Sequence, residues 1–312
     1  MGENNMIRKC LLVLLCFIAV LQSSLARADT YTQTRYPIVL VHGMLGFDSI
    51  GAINYWYGIP EALRAGGATV FVASVSALNS NEARGEQVLK YLQVLQAKYG
   101  YQKFNLIGHS HGGATSRYVA AVAPGLVASV TTVGAPHDGS KVADAIKAGA
   151  GATGTTDLVT ALVNGLGQLI GLLSGNGSPQ DALGTLASLN TAGARDFNRR
   201  FPAGAPTQSC GQGPELAANG VRYYSAGGTS VATNVLDVLD PMLIASSLVF
   251  GFEANDGLVS RCSSHWGKVL RDDYGWNHID EINHLFGLRG LFSSDPTAFY
   301  RSQANRLRNL GL

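Results

Sequence analysis

The segment Phe104-Asn105-Leu106-Ile107-Gly108-His109-Ser110-His111-Gly112 decides the fold class, because an apolar run ends there in a serine between two glycines. Residues 104–107 are typical of a short buried strand, and residues 114–121 are typical of a helix. A strand-to-helix turn of this kind lifts the serine hydroxyl clear of the backbone, and the glycines let neighbouring main chain pass close by. Ser110 is therefore a candidate nucleophile. The alternative is a glycine-rich turn with an incidental serine, and possible partner residues decide between the two.

Apolar, β-branched runs on both sides of this turn alternate with helix-like stretches. Such continuous runs are typical of strands that are covered on both faces of a parallel sheet. The stretch 84–95 between two of them carries apolar residues at helical spacing. The alternation indicates an α/β fold with a mostly parallel sheet. Besides 104–107, the predicted strands are 36–41, 69–73, 127–133 and 221–225.

The composition indicates a globular protein and narrows its partners. Of 312 residues, 46% are apolar and 14% are charged, which permits a large core and excludes a disordered chain. The net charge is +2, and no long basic run is present, which argues against nucleic acid as the main partner.

The N-terminus predicts export. A positive start at 6–9 precedes an apolar run at 10–21, and Ala26-Arg27-Ala28 fits a signal-peptidase site. We therefore predict a signal peptide at 1–28 and a secreted mature chain at 29–312. A retained membrane anchor is the alternative, although the apolar run is short for a membrane span. Translation from Met1 and translation from Met6 are both compatible with the sequence.

The cysteines predict one disulfide. Cys10 and Cys16 belong to the predicted signal peptide, so the mature chain keeps Cys210 and Cys262. Because disulfides form in oxidising compartments, we predict that these two residues are joined.

Residues 143–189 interrupt the strand–helix alternation with a Gly/Ala/Thr/Leu-rich stretch that carries few charges. Ordinary core helices are one interpretation. Because the stretch follows the serine and precedes the other catalytic candidates, a helical cap or lid with an apolar underside is the second.

A serine nucleophile needs a histidine base and an acid that orients the histidine, in the chain order serine, acid, histidine. His265, His278 and His284 satisfy this order, and His278 lies in a loop after an apparent strand or turn at 268–271. Asp256 lies in an Asn-Asp-Gly turn after an apolar run, where a side chain can project from a strand end, although such turns are also common on surfaces. The other candidate acids are Asp138, Asp144, Asp157, Asp181, Asp196, Asp237, Asp240, Asp272 and Asp273.

Backbone N–H groups must stabilise the oxyanion that forms during acyl transfer. The residue after the nucleophile, His111, supplies one such group in this motif. The loop His42-Gly43-Met44-Leu45-Gly46 follows the first predicted strand, so Met44 is the candidate for the second. An ordinary His-Gly turn is the alternative.

Four motifs in order carry a family resemblance: YTQTRYPIVLVHGMLGF at 31–47, GHSHG at 108–112, FGFEANDGLV at 250–259 and WNHIDEIN at 276–283. With them the chain resembles the secreted triacylglycerol lipases of Pseudomonas and Burkholderia across nearly the whole mature sequence. The resemblance implies an α/β-hydrolase fold with a helical lid. It also implies a Ser110–Asp256–His278 triad, with Met44 and His111 as oxyanion donors.

The resemblance further implies a structural Ca²⁺ near the catalytic histidine. The implied ligands are the carboxylates of Asp237 and Asp280 and the main-chain carbonyls of His284 and Leu288, with Asp240 as the alternative to Asp237. A disulfide and a dedicated membrane-bound foldase are implied as well. Oxygen ligands of this kind suit a hard cation.

These observations predict a secreted, monomeric serine hydrolase that cleaves esters of long-chain acylglycerols at a lipid–water interface. A short-chain esterase or acyltransferase with the same triad is the catalytic alternative. A binding protein that keeps the serine turn as a scaffold is the non-catalytic one.

Overall fold

The computed structural model describes residues 29–44, 49–50, 53–149, 180–284 and 286–312, with the backbone alone at 49–50 and 53–54. The predicted signal peptide and residues 150–179 of the predicted lid lie outside these ranges.

A parallel sheet organises the described chain. β2 and β3 pair antiparallel over two residues each, while the other six strands pair parallel in the order β4–β1–β5–β6–β7–β8. The predicted α/β class is confirmed, and the predicted strands overlap observed ones. In chain order the strands are β1 (Ile38–Val41), β2 (Ser49–Ile50), β3 (Ile53–Asn54), β4 (Val70–Ala73), β5 (Phe104–His109), β6 (Val127–Val133), β7 (Arg222–Gly228) and β8 (Lys268–Tyr274).

Helices connect the strands and cover both faces of the sheet. The longest begins after Ser80, whose hydroxyl accepts a hydrogen bond from Ala83 N–H at 3.1 Å, and it ends at Gly100 with φ 75°. Within the described ranges, no helix has the length and hydropathy of a membrane span. The helices are α1 (Ile59–Ala65), α2 (Asn81–Tyr99), α3 (His111–Val122), α4 (Lys141–Gly149), α5 (Ala182–Leu189), α6 (Thr191–Arg200), α7 (Asp240–Ser247) and α8 (Pro296–Asn309).

The two faces of the sheet bury two apolar clusters. Along β1, Val39 and Val41 pack with Val88 and Leu92 of α2, whereas the alternate residues Ile38 and Leu40 face α1 and α8. Because successive side chains of a strand point to opposite faces, a strand covered on both sides must be apolar throughout. The edge strand β8 is only half-buried and carries charged residues, which explains its weak sequence signal.

The common direction of the parallel strands determines where the candidate residues lie. The carboxyl ends of parallel strands lie at one edge, where α/β proteins form their sites. The loop with Met44 follows β1, Ser110 follows β5, Asp237 follows β7 and His278 follows β8. Residues from four distant parts of the sequence therefore meet at one edge.

Candidate active site

Ser110 occupies a strained turn between β5 and α3. Its φ of 54° and ψ of −126° are unusual for a residue with a side chain. Two close approaches require glycine here: a Cβ on Gly108 would lie 2.2 Å from the Gly112 carbonyl oxygen, and one on Gly112 would lie 2.1 Å from the Val41 carbonyl oxygen. The glycines of the motif thus permit the backbone contacts that hold Ser110 in this conformation.

His278 and Asp256 form a buried, hydrogen-bonded pair. His278 Nδ1 lies 2.8 Å from Asp256 Oδ2, and the two residues are 3% and 2% exposed. The N–H groups of Leu258 and Val259 donate to Asp256 Oδ1 at 2.9 and 2.7 Å, and His278 N–H donates to the Asp256 carbonyl at 2.8 Å. Because Nδ1 is held by the carboxylate, Nε2 is the ring nitrogen that can accept a proton from a nucleophile.

The serine turn adjoins this pair. The rings of His109, which immediately precedes Ser110, and His278 have centroids 4.6 Å apart. Ser110 N–H donates to the Val133 carbonyl at 2.9 Å, which ties the turn to the end of β6. The residue that precedes Ser110 thus contacts the ring of His278, although 169 positions separate His109 from His278 in the sequence.

The loop after β1 lies against the serine. A Cβ on Gly43 would lie 2.8 Å from Ser110 Cβ, so the backbone that leads into Met44 borders the nucleophile. The buried guanidinium of Arg84 donates to the carbonyls of His42 and Gly43, which fixes the loop. His111 begins α3 on the other side of Ser110. The two candidate oxyanion donors therefore flank the serine along the backbone.

Buried histidines surround the serine in neutral form. His42 Nδ1 bonds the Gly43 carbonyl at 2.9 Å, and His42 Nε2 accepts from Val75 N–H at 3.3 Å. Burial, reinforced by the charge of Arg84, lowers the pKa of His42 to about 3. Burial also lowers the pKa values of His109 and His111 well below the ordinary value.

A second group of buried acids, which we call the aspartate cluster, consists of Asp237, Asp240 and Asp280. Asp237 Oδ2 and Asp280 Oδ1 are buried, and no donor among the described residues reaches either atom. Burial, with the nearby charges of Asp237 and Asp240, raises the pKa of Asp280 to about 7. Buried carboxylate oxygens without a donor have the chemistry that suits a hard cation.

The structure also separates Asp237 from Asp240. Asp240 Oδ2 accepts from Thr233 and Asn234 N–H at 2.7 and 2.9 Å, and Asp240 Oδ1 accepts from the Asn277 side chain at 2.8 Å. Both oxygens of Asp240 are therefore engaged, whereas Asp237 keeps one oxygen for a ligand. His284 and Leu288 lie in the loop that follows the turn Asp280–Ile282.

Cys210 and Cys262 are joined in a disulfide, with Cα atoms 4.4 Å apart, as the sequence predicts. The disulfide ties the segment before β7 to the short helical turn Cys262–Ser264, which lies between Asp256 and β8.

Sequence reasoning missed Glu281 and the side chains of Tyr55 and His109. Glu281 is fully buried, and its Oε2 lies 3.2 Å from His109 Nε2 and 3.9 Å from His278 Nδ1. One atom each of His109, His278 and Glu281 lie within 4.8 Å of one another, which is metal-ligand spacing. His109 is hydrogen-bonded to Glu281, and His278 is hydrogen-bonded to Asp256. Hydrogen bonding therefore explains why these side chains lie so close together. Only the spacing of Glu281 from His278, three residues on, could have pointed to it.

Comparison with known proteins agrees with this architecture. Residues 36–236 match the family described as "alpha/beta hydrolase fold". A triacylglycerol lipase of Vibrio cholerae is 53% identical over 284 residues, which cover 90% of each chain. A triacylglycerol lipase of Pseudomonas fragi is 44% identical over 91% of this chain and 100% of its own. The crystal structure of Staphylococcus hyicus lipase superposes with a TM-score of 0.61 at 20% identity, covering 89% of this chain and 97% of that one, and supports the fold alone.

Proposed function

The chain belongs to the α/β-hydrolase family and, within it, to the triacylglycerol lipases, and on this premise we propose that it hydrolyses acylglycerol esters with Ser110, His278 and Asp256 as its triad. The observation that carries the proposal is the buried 2.8 Å bond between Asp256 and His278 beside a serine held at positive φ. A turn that served only as a scaffold would need neither the strained serine nor the buried pair.

The reaction proceeds through an acyl-enzyme. Ser110 Oγ attacks the ester carbonyl carbon while His278 Nε2 accepts its proton. The tetrahedral intermediate then expels the alcohol, which takes that proton from His278. Water, deprotonated by His278, attacks the acyl-serine; the bond between the carbonyl carbon and Ser110 Oγ then breaks, Oγ takes the proton from His278, and the fatty acid is released. Asp256 holds Nδ1–H of the imidazole and stabilises the positive charge that the ring carries between these steps.

The oxyanion of each tetrahedral intermediate accepts hydrogen bonds from the backbone N–H groups of Met44 and His111. Fixed donors of this kind lower a barrier by about 3 to 4 kcal/mol each. Arg84 supports them indirectly, because it holds the carbonyls of the loop before Met44.

A structural Ca²⁺ binds Asp237 and Asp280 together with the carbonyls of His284 and Leu288. The two buried oxygens without a partner support this assignment, and the engagement of both Asp240 oxygens argues against Asp240 as a ligand. When bound, the ion supplies charge compensation and ties the loop after β7 to the loop after β8.

The predicted cap at 143–189 stays a prediction within a single hydrolase domain at 29–312, because residues 150–179 lie outside the described ranges. The helices at its described ends pack near the Asp256 turn: Val142 and Ile146 of α4 cluster with Phe250, and Leu186 of α5 packs against this cluster. Leu183 of α5 is 76% exposed, as expected of an apolar residue that meets lipid.

The chain is exported with loss of residues 1–28, matures with a foldase and acts as a monomer on long-chain acylglycerols. The motifs of the N-terminus support export, and the family resemblance supports the foldase.

Hydrolysis of a long-chain triacylglycerol emulsion by purified protein tests the function. Ser110→Ala should lower the rate by about 10⁴-fold or more, because the covalent step is lost. Ser247→Ala, which removes an exposed hydroxyl that donates to the Ile244 carbonyl, serves as the matched control. A folded Ser110→Ala protein with full activity would overturn the triad. Activity on dissolved short-chain esters alone would favour the esterase alternative.

A phosphonate ester gives an independent measure of the nucleophile. The parent should be labelled at Ser110, and Ser110→Ala should not be labelled. Failure of the folded parent to react would favour a binding protein.

A further inference from the structure

A buried hydrogen-bond chain runs from the oxyanion loop to the neighbourhood of the histidine base. Gly43 N–H donates to the Tyr55 hydroxyl at 2.9 Å, and this hydroxyl lies 2.6 Å from His109 Nδ1. His109 Nε2 lies 3.2 Å from Glu281 Oε2, and Gly228 N–H donates to Glu281 Oε1 at 2.8 Å. Tyr55, His109 and Glu281 are 7%, 1% and 0% exposed.

Each end of the chain borders a part of the catalytic apparatus. Gly43 precedes the oxyanion donor Met44 and borders Ser110. At the other end, Glu281 Oε2 lies 3.9 Å from His278 Nδ1, while the His109 ring packs against the His278 ring. A rigid chain between these ends would fix the distance between the oxyanion donors and the base.

These hydrogen bonds are compatible with two distributions of protons. If Tyr55 donates to His109 Nδ1, then His109 Nε2–H donates to the Glu281 carboxylate. If Glu281 is protonated, it donates to Nε2 and the Nδ1–H of His109 donates to the Tyr55 oxygen.

Backbone contacts hold Glu281 in place and leave little space for adjustment. A Cβ on Gly134, at the end of β6, would lie 1.8 Å from Glu281 Oε2, and Tyr300 donates to the Glu281 carbonyl at 2.8 Å. A side chain that is packed so closely transmits position better than a mobile one.

We propose that Tyr55, His109 and Glu281 act as positioning residues, which together hold the oxyanion loop at Gly43 in register with the base His278. This inference rests on the proposed function. Because positioning matters mainly in the transition state, loss of the chain should lower kcat and leave KM nearly unchanged.

The first test is Tyr55→Phe, assayed on a dissolved p-nitrophenyl ester with kcat expressed per phosphonate-titrated serine. The variant leaves Gly43 N–H and His109 Nδ1 without their partner. We expect kcat to fall about tenfold, less than the 10² to 10³ typical of losing an oxyanion donor itself, with KM within about twofold. Tyr57→Phe, in the next-but-one position and outside the chain, should match the parent.

The second test compares Glu281→Gln with Glu281→Ala. Glutamine can accept from Gly228 N–H and donate to His109 Nε2, so Glu281→Gln should keep kcat within about threefold of the parent, whereas Glu281→Ala should lose about tenfold. Because members of one chain are coupled, Tyr55→Phe combined with Glu281→Ala should lower kcat little more than the larger single effect.

Three outcomes would overturn the positioning proposal. They are a parent-like kcat in Tyr55→Phe, equal losses of kcat in Glu281→Gln and Glu281→Ala, and a loss of kcat in the double variant that equals the product of the single losses. These failures differ from failure of the proposed function, which would appear as full activity in Ser110→Ala. Titration of the serine separates a lower kcat from a smaller folded fraction.

Discussion

Two groups of buried acids lie side by side at the carboxyl edge of the sheet, and they differ in how their charges are satisfied. In the base cluster, which consists of Asp256, Glu281, His109 and His278, each carboxylate faces a histidine and at least one backbone N–H. In the aspartate cluster, Asp237 and Asp280 each keep one buried oxygen without a donor. Asn277 bridges the two, because it precedes His278 and donates to Asp240.

This difference shows in which cluster the protein itself compensates the buried negative charge. A buried carboxylate without a partner is costly, and either a proton or a cation must compensate for it. The base cluster has its compensation built in, as the proposed proton transfer by His278 requires. The aspartate cluster lacks it, as expected of a site that is completed by an ion.

The largest expected effect is a loss of activity when the base cluster, and not the aspartate cluster, is altered. Asp256→Asn should lower kcat by at least about a hundredfold, because an amide favours the wrong tautomer of His278. The calcium response of the variant's melting temperature should equal that of the parent. Asp273→Asn, at an exposed acid that pairs with Arg271, is the matched control. Parent-like kcat per titrated serine in Asp256→Asn would remove Asp256 from the triad.

The next largest effect is a loss of thermal stability when calcium is removed from the aspartate cluster. Removing calcium with a chelator should lower the melting temperature by several degrees, since a ligand at about a thousand times its Kd stabilises by about 4 kcal/mol. Asp280→Asn should abolish this calcium response, because it removes an anionic ligand.

Asp240→Asn provides the control for that measurement. It should lower the melting temperature while keeping the calcium response, because an amide has one acceptor oxygen and cannot accept from both the backbone N–H groups and the Asn277 side chain. An abolished response in Asp240→Asn, together with an intact one in Asp237→Asn, would reassign the ligand.

The smallest effect concerns acid stability near the base cluster. The pKa of His42 is about 3 in the folded state and about 6.5 in a peptide, so unfolding takes up a proton between these values. Stability should therefore fall as pH decreases below about 6.5, by up to about 1.4 kcal/mol per pH unit for this residue.

His42→Gln should reduce the loss of unfolding free energy below about pH 6.5, because an amide can make both backbone hydrogen bonds without titrating. Urea unfolding at pH 7, 6 and 5, with excess calcium throughout, would measure the slope. An unchanged slope in His42→Gln would show that other groups control acid unfolding.

Much of the site was predictable because local signals mark it. The strand, glycine and serine pattern of 104–112 predicts the turn at Ser110, and the continuous apolar runs predict buried parallel strands. The weak signal of β8 has a physical cause, since an edge strand has an exposed face and need not be apolar. The contacts of Tyr55 with His109 and of His109 with Glu281 span 54 and 172 positions, so no local pattern reports them.

The sequence by itself determined the serine turn, the alternation of strands and helices and the pair of cysteines, because these depend on local periodicity, glycine positions and composition. Only the tertiary structure decided that one oxygen of Asp237 has no donor while both oxygens of Asp240 accept hydrogen bonds, and that Glu281 lies close to His109 and His278. These outcomes depend on which donors distant loops present to a buried carboxylate, and that is fixed when the sheet brings its strand ends together.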